Sequence, residues 1–151
     1  MNYLDTDRLA ALISAKSQVA ELLLRLAARQ LELAQNGQTQ PLIKLLAAKQ
    51  GVLEQLHRLE REIDPFRSQD PDARTWRVPA DRAHCQAQAQ QSADLLAQAM
   101  SLEKQGEAAM LRRREAAAAA LAAVQSAADA RVAYAPPAAI PSFSSALQYE
   151  G

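Results

Sequence analysis

The chain is short of several things, and each shortage removes a class of protein. Aromatic residues are 4% of the 151 positions, and there are only 4 Gly. A β-sandwich or barrel draws its core from β-branched and aromatic residues and turns often, so this chain is not built that way. With no GxGxxG and no GxxxxGK[ST], it also lacks the phosphate-cradling loops of the doubly wound nucleotide binders. Cys85 is the single cysteine, so no disulfide forms within the chain and a reducing compartment fits. There is no surplus of either charge, since 17 Lys plus Arg balance 17 Asp plus Glu. Nucleic-acid binders carry a basic surplus, so no nucleic-acid partner is expected. The segment Met1-Asn2-Tyr3-Leu4-Asp5-Thr6-Asp7 lacks the positive start and apolar run of a signal peptide. No uncharged apolar run reaches the roughly 18 residues a membrane span needs. The expected location is the cytoplasm.

What the chain has in plenty is alanine, 34 residues of 151. Alanine is the strongest helix former and adds little bulk to a core. The expected fold is therefore all-α. Leu12, Val19, Leu26 and Leu33 recur every seven residues, and Leu9, Leu22 and Leu23 widen the stripe. This predicts a first helix over about 5–35 with one face toward a partner helix. Asp5, Thr6 and Asp7 suit its N-cap and first turn. Asn36-Gly37 ends it, because both residues tolerate the left-handed conformation.

A second helix is predicted over 39–64, with Thr39 as N-cap and Pro41 in the first turn. Its apolar series is Leu42, Leu45, Val52, Leu56, Leu59, Ile63 and Phe66. Lys49 occupies a seam position, so its ammonium must snorkel out or find a carboxylate. Asp64-Pro65 is expected to stop the helix, since the residue before proline avoids the α region. The short turn makes these helices an antiparallel hairpin. A connector follows at 65–78, where Trp76 is expected to plug the end of a bundle.

The third helix is predicted over 79–133, opening with Pro79 and Asp81. Unbroken, it would be roughly 80 Å long, about twice the hairpin. Its later half must fold back at Gly106, pair with a second copy or receive a partner helix. The alanine-rich surface there, with Met110, Leu111, Leu121 and Val124, suits close helix–helix approach, and methionine adapts to varied partners. The expected organisation is one helical domain over 1–134 and a flexible tail over 135–151. That tail includes Ile140, Phe143, Leu147 and Tyr149. The whole reads as an elongated three-helix bundle or coiled coil.

No catalytic constellation is present. His57 and His84 are the only histidines, and Glu54-Gln55-Leu56-His57 has the Glu-x-x-His spacing of di-iron bundles. The further inward glutamates such a site needs are missing from the apolar seams, so no metal or other cofactor is expected. Cys85 reads as a small buried thiol. Arg112-Arg113-Arg114 fans around a helix as a solvated face.

The run Leu42-x-x-Leu45-Leu46-x-x-Lys49-Gln50-x-x-Leu53-x-x-Leu56-x-x-Leu59 follows Leu26, Leu33 and the Asn36-Gly37-Gln38 turn. This stretch resembles the helical hairpin of the FlgN-type flagellar export chaperones. The sequence departs from that pattern at Gln38, in the alanine content of the third helix and in the connector around Trp76-Arg77. The resemblance implies a non-enzymatic cytoplasmic chaperone of flagellar type III export. Such a chaperone binds terminal helices of hook-associated (hook–filament junction) subunits and keeps them unpolymerised. Substrate contacts in that family lie mostly in the C-terminal helix. Here that region supplies the candidate partner-binding residues Leu102, Met110, Leu111, Leu121, Val124 and Ala128. The alternative is a structural coiled-coil self-assembly or adaptor protein, which would form a homodimer or higher oligomer.

Overall fold

The computed structural model describes residues 2–134. In chain order it contains helix α1 (Tyr3–Asn36), helix α2 (Thr39–Arg67), a 3-10 turn at Pro71–Ala73 and helix α3 (Pro79–Ala133). No strand occurs among the described residues, and the fold is all-α. The expected tail over 135–151, with Ile140, Phe143, Leu147 and Tyr149, lies outside the described residues. Packing divides the chain into two units, Met1–Leu111 and Arg112–Gly151, with the boundary inside the helix that the sequence assigned to a single domain.

In the first unit, α1 begins two residues before the expected start. Asn2, not Asp5, is the N-cap. Its side-chain oxygen accepts the Asp5 N–H at 3.0 Å, and the Asn2 N–H donates to the Asp5 carboxylate at 3.2 Å. This reciprocal pair satisfies two N–H groups that the first turn leaves open. At the other end Gly37 takes the left-handed conformation, φ 67°. The Gly37 and Gln38 N–H groups donate to the carbonyls of Ala34 and Leu33 at 3.3 and 3.0 Å. That double closure is why Asn36-Gly37 ends the helix as expected.

Helix α1 is the buried member of the unit. Leu9, Leu12, Val19, Ala20, Leu23, Ala27, Leu33 and Ala34 are all buried. They spread over more than one face, because α1 packs along α2 and also meets α3. Helix α2 is half-buried along its length. Every member of its expected apolar series is at least half-buried, with Ile63 and Phe66 buried outright. Its N-cap position is Gln38, which offers no side-chain bond, and Thr39 is already helical. The expected stop at Asp64-Pro65 is wrong. The helix continues through Pro65 to Arg67. Two contacts override the local penalty of proline. Phe66 is buried in the core, and the Arg67 guanidinium bridges the carboxylates of Glu60 and Asp64.

The connector is fastened to the start of α1. Thr6 is 1% exposed, and its hydroxyl donates to the Thr75 carbonyl at 2.8 Å. The Arg77 Nε donates to Asp7 at 2.8 Å, and its guanidinium carbon stands 5.6 Å from the Tyr3 ring centroid. Between these ties Trp76 packs on the cluster Leu9, Leu12, Ile63, Phe66 and Cys85. It closes that end of the bundle, as expected of a tryptophan in a connector.

Helix α3 is continuous from Pro79 to Ala133, so it does not fold back at Gly106. Within the first unit its buried residues include Cys85, Ser92, Ala99 and Gly106, each seven after the last. All are small. This spacing is a coiled-coil seam with little side-chain bulk, and it lets α3 lie close to its neighbour. At Gly106 a Cβ would stand 3.7 Å from the Gln30 amide nitrogen and 4.0 Å from the Leu31 Cα.

The second unit is described as far as Tyr134 and contains the α3 residues from Arg112 onward. Every one of them to Tyr134 is exposed. No helix among the described residues is long and apolar enough to cross a membrane.

Candidate functional site

The candidate partner-binding residues divide between the two units. Leu102 and Met110 are half-buried in the first unit, where they help cover the α3 seam. Leu111, the last residue of that unit, is 53% exposed. Leu121 and Val124 are 68% and 67% exposed, and Ala128 is exposed beside them. On a helix, positions 121, 124 and 128 fall on one face, and Val132 extends it by one more turn. The structure therefore brings together Leu121, Val124 and Ala128, and it assigns Leu102 and Met110 largely to internal packing. Arg112, Arg113 and Arg114 are exposed at the start of the same stretch.

A polar junction ties the three helices of the first unit together. Lys49 of α2 is 6% exposed and donates to the Gln30 side chain of α1 at 3.2 Å. It also pairs with the Glu103 carboxylate of α3. The lysine in the α2 seam has thus found the carboxylate its position demands. A buried ammonium without such a partner would be costly. Gln30 is itself buried, and no periodicity in the sequence marks it as Lys49's second acceptor.

A second ion cluster lies on the α1–α2 side. Lys16 pairs with Glu60 at 2.6 Å, and Arg67 pairs with the same carboxylate. Burial raises the Glu60 pKa, but the hydrogen bonds and charges of Lys16 and Arg67 outweigh it and hold the carboxyl below its usual value. Burial pushes the Cys85 thiol up, and the nearby Arg74 charge only partly offsets this. Burial therefore disfavours the thiolate, the reactive form, in keeping with a packing role.

Beside Cys85 is a partly enclosed cavity of about 230 Å³. Its apolar wall includes Leu9, Ile13, Ile63, Phe66 and Trp76, and its cations are Lys16, Arg67, Arg74 and Arg82. The sequence reading missed it. It forms only because the connector folds back over α1 and α2, and the connector has no periodic pattern to read. His57 and His84 are both exposed, on different helices. Among the described residues, no group of three or more His, Cys, Asp or Glu is arranged to hold a metal ion.

Compared with known proteins, the chain matches no protein-family model, no curated protein and no solved structure.

Proposed function

We propose that the protein is a non-enzymatic cytoplasmic chaperone of flagellar type III export, which binds an amphipathic terminal helix of a hook-associated subunit and keeps it unpolymerised. The carrying observation is the exposed apolar stripe Leu121, Val124 and Ala128 on a stretch of α3 where every residue is exposed. A second amphipathic helix can bury such a stripe by helix-in-groove packing, reversibly and without a cofactor. The resemblance of the Leu42–Leu59 run and the Asn36-Gly37 turn to the chaperone hairpin supports the flagellar assignment.

The test uses the full chain with Leu121→Glu and Val124→Glu together. Binding to a purified hook-associated subunit should fall by roughly a hundredfold, about 3 kcal/mol, since two charges would enter an apolar contact. The thermal midpoint read from Trp76 fluorescence should not move, because Trp76 belongs to the first unit. Unchanged binding would remove the reading. A homodimer seen by light scattering in the wild type and lost in the double variant would favour the self-assembly alternative.

A further inference from the structure

The cavity beside Cys85 is unusual in its balance of charge. Its lining contains Lys16, Arg67, Arg74 and Arg82 and no carboxylate. Three of these cations are already engaged. Lys16 pairs with Glu60, Arg67 with Glu60 and Asp64, and Arg82 with Asp72 at 2.6 Å. Arg74 is different. Its Nη2 donates to the Phe66 carbonyl at 2.8 Å, which offers a partial charge only. Its Nε is buried with no hydrogen-bond partner, and it has no carboxylate partner among the described residues. Trp76 repeats the deficit, because its indole N–H is also buried and unpaired. An unpaired buried donor costs about 1–3 kcal/mol, more when it is charged, and native structures hold few of them. Both residues line the same cavity, and the chain itself supplies no acceptor for either donor.

The other walls say what kind of molecule carries that acceptor. Leu9, Ile13, Ile63, Phe66 and the Trp76 ring form an apolar surface, and the protonated Cys85 adds no charge. The volume of about 230 Å³ is below the roughly 300–1,000 Å³ of drug-sized pockets, so the occupant is small. We propose that this cavity is a binding site for a small amphipathic carboxylate, with its apolar body against Leu9, Ile13, Ile63, Phe66 and Trp76 and its carboxylate on Arg74. The carboxylate belongs either to a free medium-chain acid or to the C-terminal residue of a peptide, since both present the same chemistry. The site shares no residue with the α3 stripe, and its occupancy does not depend on a flagellar partner.

Trp76 is the only tryptophan in the chain, so its emission reports the cavity without a label. The full chain is titrated with octanoate and with octanol, which share an alkyl body and differ in charge. It is also titrated with an acetylated tetrapeptide ending in leucine, as free acid and as amide. At least one acid should bind roughly tenfold tighter than its neutral counterpart, as a charge-assisted bond to Arg74 requires. Preference for octanoate assigns the site to free acids, and preference for the peptide acid assigns it to chain ends. In Arg74→Gln the preference should vanish while the neutral ligand binds as before. Ala89 is an exposed residue of the lining, so Ala89→Phe narrows the cavity without disturbing the core and should weaken every ligand. Equal binding of acid and neutral forms in the wild type would overturn the proposal whether or not Arg74→Gln folds. So would absence of binding, or undiminished binding in Ala89→Phe.

Discussion

Between Pro79 and Leu111, α3 buries Cys85, Ser92, Ala99, Gly106 and Ala109; between Arg112 and Ala133 it buries nothing. The second stretch is richer in alanine, 11 of its 22 residues against 9 of 33, yet the count of seven that gives the first its seam runs on through Arg113, Ala120 and Ala127. The two also differ in their company. Cys85 packs with Leu9 and Leu12 from α1 and with Ile63 and Phe66 from α2. The small residues of α3 are the receiving side of a contact whose bulk comes from elsewhere. Burial of apolar area drives packing, and alanine has little to bury. An alanine-rich stretch without leucines opposite it is a stable helix lacking a core of its own.

The sharpest way to break this comparison is to remove the same atoms from the buried core of the first unit and from the second stretch of α3. Leu33 is 2% exposed in α1, while Leu121 is 68% exposed in α3. Leu33→Ala should destabilise the protein by about 3 kcal/mol in urea unfolding followed by Trp76 emission, through lost burial and a cavity. Leu121→Ala should change it by less than about 0.5 kcal/mol. A comparable loss from both would mean that the second stretch has a packing partner.

Next in size is the polar junction. Glu103→Ala leaves the Lys49 ammonium buried with only Gln30 as acceptor, and should cost roughly 2–3 kcal/mol. Replacing the charge as well, with Lys49→Met in the same chain, should restore most of that loss. If Glu103→Ala alone is neutral, the junction positions α3 without stabilising it.

How much of this was legible depended on how local the cause was. The Asn36-Gly37 stop is a property of two residues, and the structure shows the left-handed glycine it requires. The start of α3 likewise follows from Pro79, and its unbroken length from alanine propensity. Lys49 could be recognised as needing a carboxylate, but not that Glu103, on another helix, would be it. The Asp64-Pro65 stop failed because Phe66 reaches the core and Arg67 reaches Glu60, contacts that local propensity does not contain. The cavity was the least legible feature. Its walls come from α1, α2, α3 and the connector, and the connector is placed by Thr6–Thr75 and Asp7–Arg77 bonds across about seventy residues.

A smaller effect refines the idea that α3 needs small residues only where it is received. Gly106→Ala places its Cβ at ordinary contact distance, 3.7 and 4.0 Å from its neighbours. The helix then gains alanine's propensity, so stability should rise by about 0.5–1 kcal/mol. A bulkier Gly106→Leu should lose more than that, since the Leu31 backbone cannot give way. In the second stretch Ala120→Leu should be neutral by the same measurement, because position 120 is exposed.

The smallest expected effect is in acid and belongs to the first unit alone. Lys16 and Arg67 hold Glu60 below its ordinary pKa of 4.5 despite its partial burial. A carboxylate with a depressed folded pKa adds stability that is fully present above its unfolded pKa and is lost as pH falls through the folded value. Glu60→Gln should therefore lower the thermal midpoint modestly at pH 7, by an amount worth under about 1 kcal/mol for a partly exposed cluster. The gap to wild type should close as pH falls below 4.5. Trp76 emission should follow the change, because it reports the unit that contains Glu60. A gap that stays constant from pH 7 to about pH 3 would mean that Glu60 contributes by packing and not by its charge.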